Sequence, residues 1–351
     1  MLVKEQHNPT LNATGRLRFI ALSVGLFFAC LLSIGLGSLS LSIPELLDGL
    51  FLANDAVAGS VIWQIRIPRT LTAVLAGVAL AVSGLQMQTL FYNPLAGPSV
   101  LGISAGASLG VATVMLGAGS TAMALQASGI GQSSLVAVAA IVGAAAVLGL
   151  LLLISRSVTN STTLLIVGLM IGNFTIATVS VWQYFSQPEQ IREYLLWTFG
   201  HLGGVNFPQL LLVAAVVLMG MVLGIRNIKA MNMLLLGEES ARSMGQPVQQ
   251  VRQQIIISTS LLTGIVTCFC GPIAFIGIAV PHLCRNLFGT ADHRIIFPAC
   301  ILVGALLLLV CDIAARLPGE ATALPVNIIT AMIGAPVVAL VIIRQPKGSS
   351  L

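Results

Sequence analysis

Charge is scarce in this chain: Asp, Glu, Lys and Arg together make up 8% of its 351 residues, against about 25% in an ordinary soluble domain. That scarcity excludes a water-soluble globule and points to the bilayer, as does the 57% hydrophobic content. Aromatic residues are also few, at 5%, while glycine reaches 35 residues. The balance favours slim helices that approach closely over bulky cores. No GxxxxGK[ST] loop occurs, so the chain has no phosphate cradle of its own and is not expected to hydrolyse ATP. No CxxC or Cys/His cluster has zinc-ligand spacing. Cys30, Cys268, Cys270, Cys284, Cys300 and Cys311 all fall in apolar runs and read as small hydrophobic residues, a metal site at Cys268 and Cys270 being the alternative. His201, His282 and His293 are isolated and are expected at interfaces or in packing, so no catalytic triad stands out and an enzyme is not expected. The basic residues are scattered singly, which argues against a nucleic-acid-binding stripe.

What the chain does have is a series of apolar runs long enough to cross a membrane, each needing about 20 residues. Ten are expected, near 19–41, 70–92, 99–117, 133–154, 162–185, 208–225, 254–270, 272–289, 295–315 and 325–343. The eighth and ninth are interrupted by Pro281 and Pro298. Ile191 to Gly203 is too short and polar to cross and reads as a surface helix. An even number of spans puts both termini on one side. With that side cytoplasmic, twelve of the 16 basic residues lie inside, leaving Arg66, Arg69, Arg192 and Arg316 outside with seven of the 11 acids, as the positive-inside bias requires. The chain is expected to divide into a cytoplasmic segment 1–18, a single membrane domain 19–344 and a cytoplasmic tail 345–351.

Eight of these ten spans hold no charged residue, so the chain lacks the buried acid and histidine relays of a proton-coupled pump. Asp312 is the nearest candidate, but its four-residue spacing from Arg316 suits a local ion pair.

Four local features remain. Gly102, Gly106 and Gly110 recur at intervals of four in "LGISAGASLG", a face that lets another helix backbone approach. "FYNPLAGPS" (91–99) reads as a tight turn, with Asn93 placed to cap it locally. "GEESARSMG" runs from Gly237 to Gly245 with Glu238 and Glu239 in the first turn, where the helix dipole favours negative charge. It predicts a short exposed helix between two spans, a shape suited to a groove on a partner. Finally, Arg66, Arg69 and Arg316 sit at outer span ends. Singly they would snorkel to headgroups; together they would form a basic collar for carboxylates, which arginine's planar fork can grip in pairs.

The ordered blocks "RIPRTLTAVLAGVALAVSGLQMQ", "NPLAGPSVLGISAGASLG", "LGEESARSMG", "GPIAFIGIAVPHLCRNLFG", "DHRIIFPACILVGALLLLVCDIAARL" and "TALPVNIITAMIGAPVVALVIIR" closely resemble the permease subunit of bacterial ABC importers for iron chelates, haem and vitamin B12. The resemblance covers about residues 60–344. It implies an all-α polytopic membrane protein of type II ABC importer architecture, with about ten transmembrane helices per subunit. It also implies pairing with a second permease subunit, as a homodimer or with a close paralogue, and two ATP-binding cassette subunits that hold the ATP and Mg, so that no cofactor is bound by this chain. An extracytoplasmic substrate-binding protein and an inner-membrane location complete the picture. By resemblance, Gly237, Glu238, Glu239, Ser240, Ala241, Arg242 and Gly245 form the coupling helix, about 237–247. Arg66, Arg69 and Arg316 meet acids of the binding protein, and Ser161 and Thr162 in "TNSTT" lie at a cytoplasmic gate. Where the family has an acid before "LP", this chain has Ala323, with Glu320 three residues earlier. The first expected substrate is an iron-siderophore, with haem and vitamin B12 behind it. The competing class is an ion-gradient-driven secondary transporter.

Overall fold

The structure is a computed structural model that describes residues 13–37, 41–52, 56–117, 132–158, 161–316 and 324–344. The helices in chain order are α1 (Ala13–Gly35), α2 (Ile43–Leu47), α3 (Ala56–Val61), α4 (Ile67–Leu90), α5 (Ile103–Met115), α6 (Gln132–Ser157), α7 (Ser161–Phe185), α8 (Pro188–Thr198), α9 (Phe207–Arg226), α10 (Ile228–Leu234), α11 (Glu238–Ser243), α12 (Val248–Cys270), α13 (Ile276–Phe288), α14 (His293–Arg316) and α15 (Val326–Arg344). No strand occurs among the described residues. Local sequence sets several starts. Asn206 caps α9, its Oδ1 accepting from the Gln209 amide at 3.0 Å while Gln209 Oε1 accepts from the Asn206 amide at 3.1 Å, a reciprocal box that satisfies two orphan donors. Pro68, Pro188 and Pro208 sit in first turns, where a missing N–H costs nothing.

Among the described residues, seven helices are long and apolar enough to cross a membrane: Ala13–Gly35, Val57–Leu90, Ser134–Ser157, Ser161–Phe185, Phe207–Arg226, Val248–Cys270 and His293–Arg316. The other three expected spans are α5, α13 and α15, of which α5 and α13 have 13 residues each. Such a helix covers about 20 Å of a hydrocarbon layer about 30 Å thick. The run expected at 99–117 becomes helical only at Ile103, because Pro98–Leu101 forms a 3-10 turn and Gly102 follows at φ 73°. Pro98, Leu101 and Gly102 are buried, and irregular backbone at membrane depth is tolerated only in such protein-lined places. The first span also begins earlier than expected, at Ala13, so Arg16 and Arg18 lie on the helix itself. Pro298 leaves α14 continuous, and the polar stretch after Gln187 forms the 11-residue α8, a surface-type helix as expected.

The core is built around α4, of whose apolar window 83% is buried, and α9, α12, α13 and α14 pack against it. Because lipid is as apolar as leucine, close approach and polar contacts must hold these helices together. A Cβ at Gly77 would lie 2.2 Å from the Gly304 carbonyl oxygen of α14, and one at Gly84 only 1.8 Å from that of Gly277 in α13. Pro281 explains the second contact, since it has no N–H to offer the carbonyl four residues back. That carbonyl instead rests on the bare Cα of Gly84. Gly106 and Gly110 meet α6 in the same way, at the Gly143 and Ala139 carbonyls. Gly102 does not join their face; its left-handed backbone turns the chain into α5 against the Gly168 carbonyl of α7. Polar contacts add to this packing. Gln86 Nε2 on α4 donates to Ser258 Oγ at 3.0 Å, and Thr259 Oγ1 donates to Gln86 Oε1 at 3.2 Å, each contact worth about 0.6 kcal/mol in a bundle of this kind.

Candidate functional site

The antiparallel helices α4 and α14 run between two polar clusters at opposite ends of the bundle. At the first, the structure brings Arg66, Arg69 and Arg316 together, although Arg66 caps the start of α4, Arg69 lies in its first turn and Arg316 lies in the last turn of α14, about 250 residues on. Two of them share Asp312, which is fully buried. Arg69 donates to its Oδ1 from Nε at 3.0 Å and Nη2 at 2.8 Å. Arg316 Nη2 lies 2.8 Å from Oδ2, so the expected local pair with Asp312 is present but shared. Arg66 is 4% exposed and donates from Nη1 to the Ile34 and Gly35 carbonyls at 2.8 and 2.9 Å. Arg316 Nη1 donates to the Ser33 and Leu36 carbonyls at 3.0 and 2.9 Å. These carbonyls belong to the end of α1, where helical partners run out. The arginines therefore staple α1, α4 and α14 as well as forming a basic group. His201 stands beside them, since a Cβ on Gly203 would sit between its ring and Arg69 Nη1. Packing around the imidazole, then the Arg69 charge, lowers its pKa against a smaller opposing effect of Asp312.

The second cluster centres on α11. Gly237 and Gly245 bracket this helix at φ 98° and 82°, conformations that only glycine adopts without strain. Ala241 packs inward, fully buried, while Glu239, Ser240, Arg242, Ser243 and Met244 face outward. Glu239 and Arg242 form an exposed pair at 3.6 Å. Glu238 faces inward instead: both its oxygens accept from Arg252 Nη2 at 3.1 Å, and Ser161 Oγ donates to the same carboxylate. Arg252 is 2% exposed and also donates from Nη1 to the Val158 carbonyl at 2.9 Å. Ser161 and Thr162, at the start of α7, thus share with Leu236, Glu238, Glu239 and Arg242 a cleft of about 560 Å³. The turn after α4 completes its wall with Phe91 and Tyr92. Beside Tyr92, Asn93 Oδ1 accepts from the Leu95 amide at 2.9 Å, the local cap expected there.

The residues near Ala323 and Glu320 lie outside the described residues. Sequence reasoning missed Asp312 as the shared partner of Arg69 and Arg316, Arg252 as the partner of Glu238, and exposed Leu236 and Met244 beside the short helix. Asp312 left the four-residue spacing to Arg316 as a partial signal, and Arg252 left only its place as a cation 14 residues after Glu238 in the same polar stretch. Among the described residues no group of three metal-ligating side chains occurs.

A helical bundle of this kind is found again in known proteins. The sequence profile of the FecCD transport family matches residues 25–344. The chain belongs to the FecCD transport family. It is 36% identical over 288 residues to the vitamin B12 import system permease protein BtuC of Salmonella paratyphi A, covering 82% of this chain and 84% of that one. It is 39% identical over 285 residues to BtuC of Klebsiella pneumoniae, covering 81% and 82%. A solved chain described as an inward-facing conformation of a metal-chelate type ABC transporter superposes with a TM-score of 0.81 at 28% identity, covering 94% of this chain and all of that one. As a FecCD protein the chain is a multi-pass ABC importer permease, a transport subunit whose ATPase is a separate protein.

Proposed function

We propose that this FecCD permease moves a preassembled metal chelate across the bacterial inner membrane, with α11 on the cytoplasmic side and the arginine cluster outside. The match to its family over residues 25–344 carries this reading. The outward face of α11 then docks into an ATP-binding cassette subunit, and two such subunits serve a pair of permeases. Exposed apolar side chains on α7 and α15, among them Phe174, Ile176 and Met332, suit the contact with the second permease subunit. At the other end, three cations around one buried carboxylate leave a positive excess that draws the acids of a substrate-binding protein. ATP supplies the free energy, and the permease supplies two states with different contacts.

The substrate class is a large chelate that carries its own ligands, so the permease needs none. An iron-siderophore is one reading; vitamin B12 is the other, favoured by the BtuC relatives. Reconstituting the chain in liposomes with its ATPase and binding-protein partners and offering each labelled chelate tests both. ATP-dependent uptake of one chelate over the other identifies the substrate, whereas uptake driven by an ion gradient without the ATPase overturns the proposal.

A further inference from the structure

Glu238 is the first residue of α11, yet it does not belong to the helix's exposed face. It turns back into the bundle and meets Arg252 of α12 and Ser161 of α7. Arg252 in turn holds the Val158 carbonyl just beyond α6. Gln249, three residues earlier on α12, adds a weaker tie from Nε2 to the Arg156 carbonyl at 3.3 Å. The Glu238–Arg252 pair therefore ties the short helix to the end of α6 through Arg252 and to the start of α7 through Ser161, contacts that bridge 94 and 77 positions.

We infer that Arg252 is the positioning residue that makes α11 and the first turn of α7 move as one body. This rests on the coupling role proposed for α11. The physical reason is the cost of separation. Arg252 is 2% exposed, and pulling Glu238 away would leave its cation buried without its carboxylate, an outcome far costlier than moving both groups together. The bracketing glycines, Gly237 and Gly245, let α11 swing as a unit, and nothing touches the place where either would carry a Cβ. A push on the exposed Glu239, Arg242 and Met244 is thus relayed through Glu238 to Ser161, beside the cleft that Thr162 also lines. Arginine suits this task because its planar fork grips a carboxylate with one nitrogen and a carbonyl with another, which a lysine ammonium cannot do in the same fixed geometry.

Two readouts test the inference. In the reconstituted complex, chelate moved per ATP hydrolysed falls about tenfold or more in Arg252→Gln, within the range of measured couplings between sites, falls less in Arg252→Lys, and falls about threefold in Ser161→Ala, which loses a single contact. Arg252→Gln and Ser161→Ala both keeping the wild-type ratio would overturn it. The second readout needs no transport. Spin labels at Ser240→Cys and Thr163→Cys, in a chain with Cys30→Ala, give a narrow distance distribution that broadens in Arg252→Gln. An unchanged width there sinks the inference even where uptake falls. If the wild-type complex shows no ATP-driven uptake but the distribution still broadens, the proposed function fails and the joint between the two helices stands.

Discussion

The two ends of the bundle use the same chemistry in opposite proportions. At the Asp312 end, two arginines grip one fully buried carboxylate and a third caps the neighbouring helix end. At the Glu238 end, one buried arginine and one hydroxyl hold a carboxylate whose side chain is 27% exposed. The first arrangement is overdetermined: it ties three helix ends, and no single contact controls it. The second is a single joint on a short helix between two flexible glycines. An excess of cations in a stiff frame suits capture of an acidic partner without deformation, whereas a neutral joint on a movable helix suits the passage of motion.

The largest effect expected is at the stiff end. Asp312→Asn leaves two arginines facing a neutral amide in a buried site and should destabilise the chain by about 3–5 kcal/mol, read as loss of thermal stability in detergent. Glu238→Gln should cost less, about 1–3 kcal/mol, since it strips the counter-charge from one cation and not two, and the amide oxygen still accepts from Arg252. Equal costs at the two ends would break the comparison. Next comes the exposed pair. Exchanging the charges in Glu239→Arg with Arg242→Glu should change stability by no more than about 0.5 kcal/mol, because these side chains are 87% and 57% exposed. Capture of the ATP-binding subunit should nevertheless weaken. A large loss of stability with unaltered capture would assign α11 a purely structural role.

Much of this fold was legible because membrane spans are written in long apolar runs, and the glycine brackets of α11 in two residues whose φ no other side chain favours. The sequence also showed that Arg66, Arg69 and Arg316 share one end. It could not show that Asp312 lies among them, since a four-residue spacing predicts only the Arg316 contact, and the Arg69 contact bridges 243 positions. The same limit hid Arg252. Helical periodicity reports which residues share a face of one helix, and Glu238 and Arg252 stand on different helices. The shortness of α5 was hidden for another reason: Pro98 to Gly102 carries no charge and runs straight into an apolar helix, and hydropathy does not distinguish a buried 3-10 turn from a helix.

The smallest effect separates the two ends by pH. His201 lies near Arg69 and Asp312 and has its pKa lowered, chiefly by packing around the ring and then by the Arg69 charge. An unfolded histidine titrates near about 6.5, so between that value and the lower folded one the unfolded chain binds more protons. Stability must then rise with pH across that window: the contribution is present above the unfolded value and is lost as pH falls toward the folded one. The thermal midpoint of the wild type should therefore drop on going from pH 7.5 to 5.5, and part of that drop should vanish in His201→Gln, which cannot take up the proton. Glu238→Gln serves as the contrast, because it alters the far end and leaves the His201 contribution in place. If His201→Gln follows the wild type at every pH, the imidazole does not sense the arginine cluster, and the charge excess assigned to that end does not extend to it.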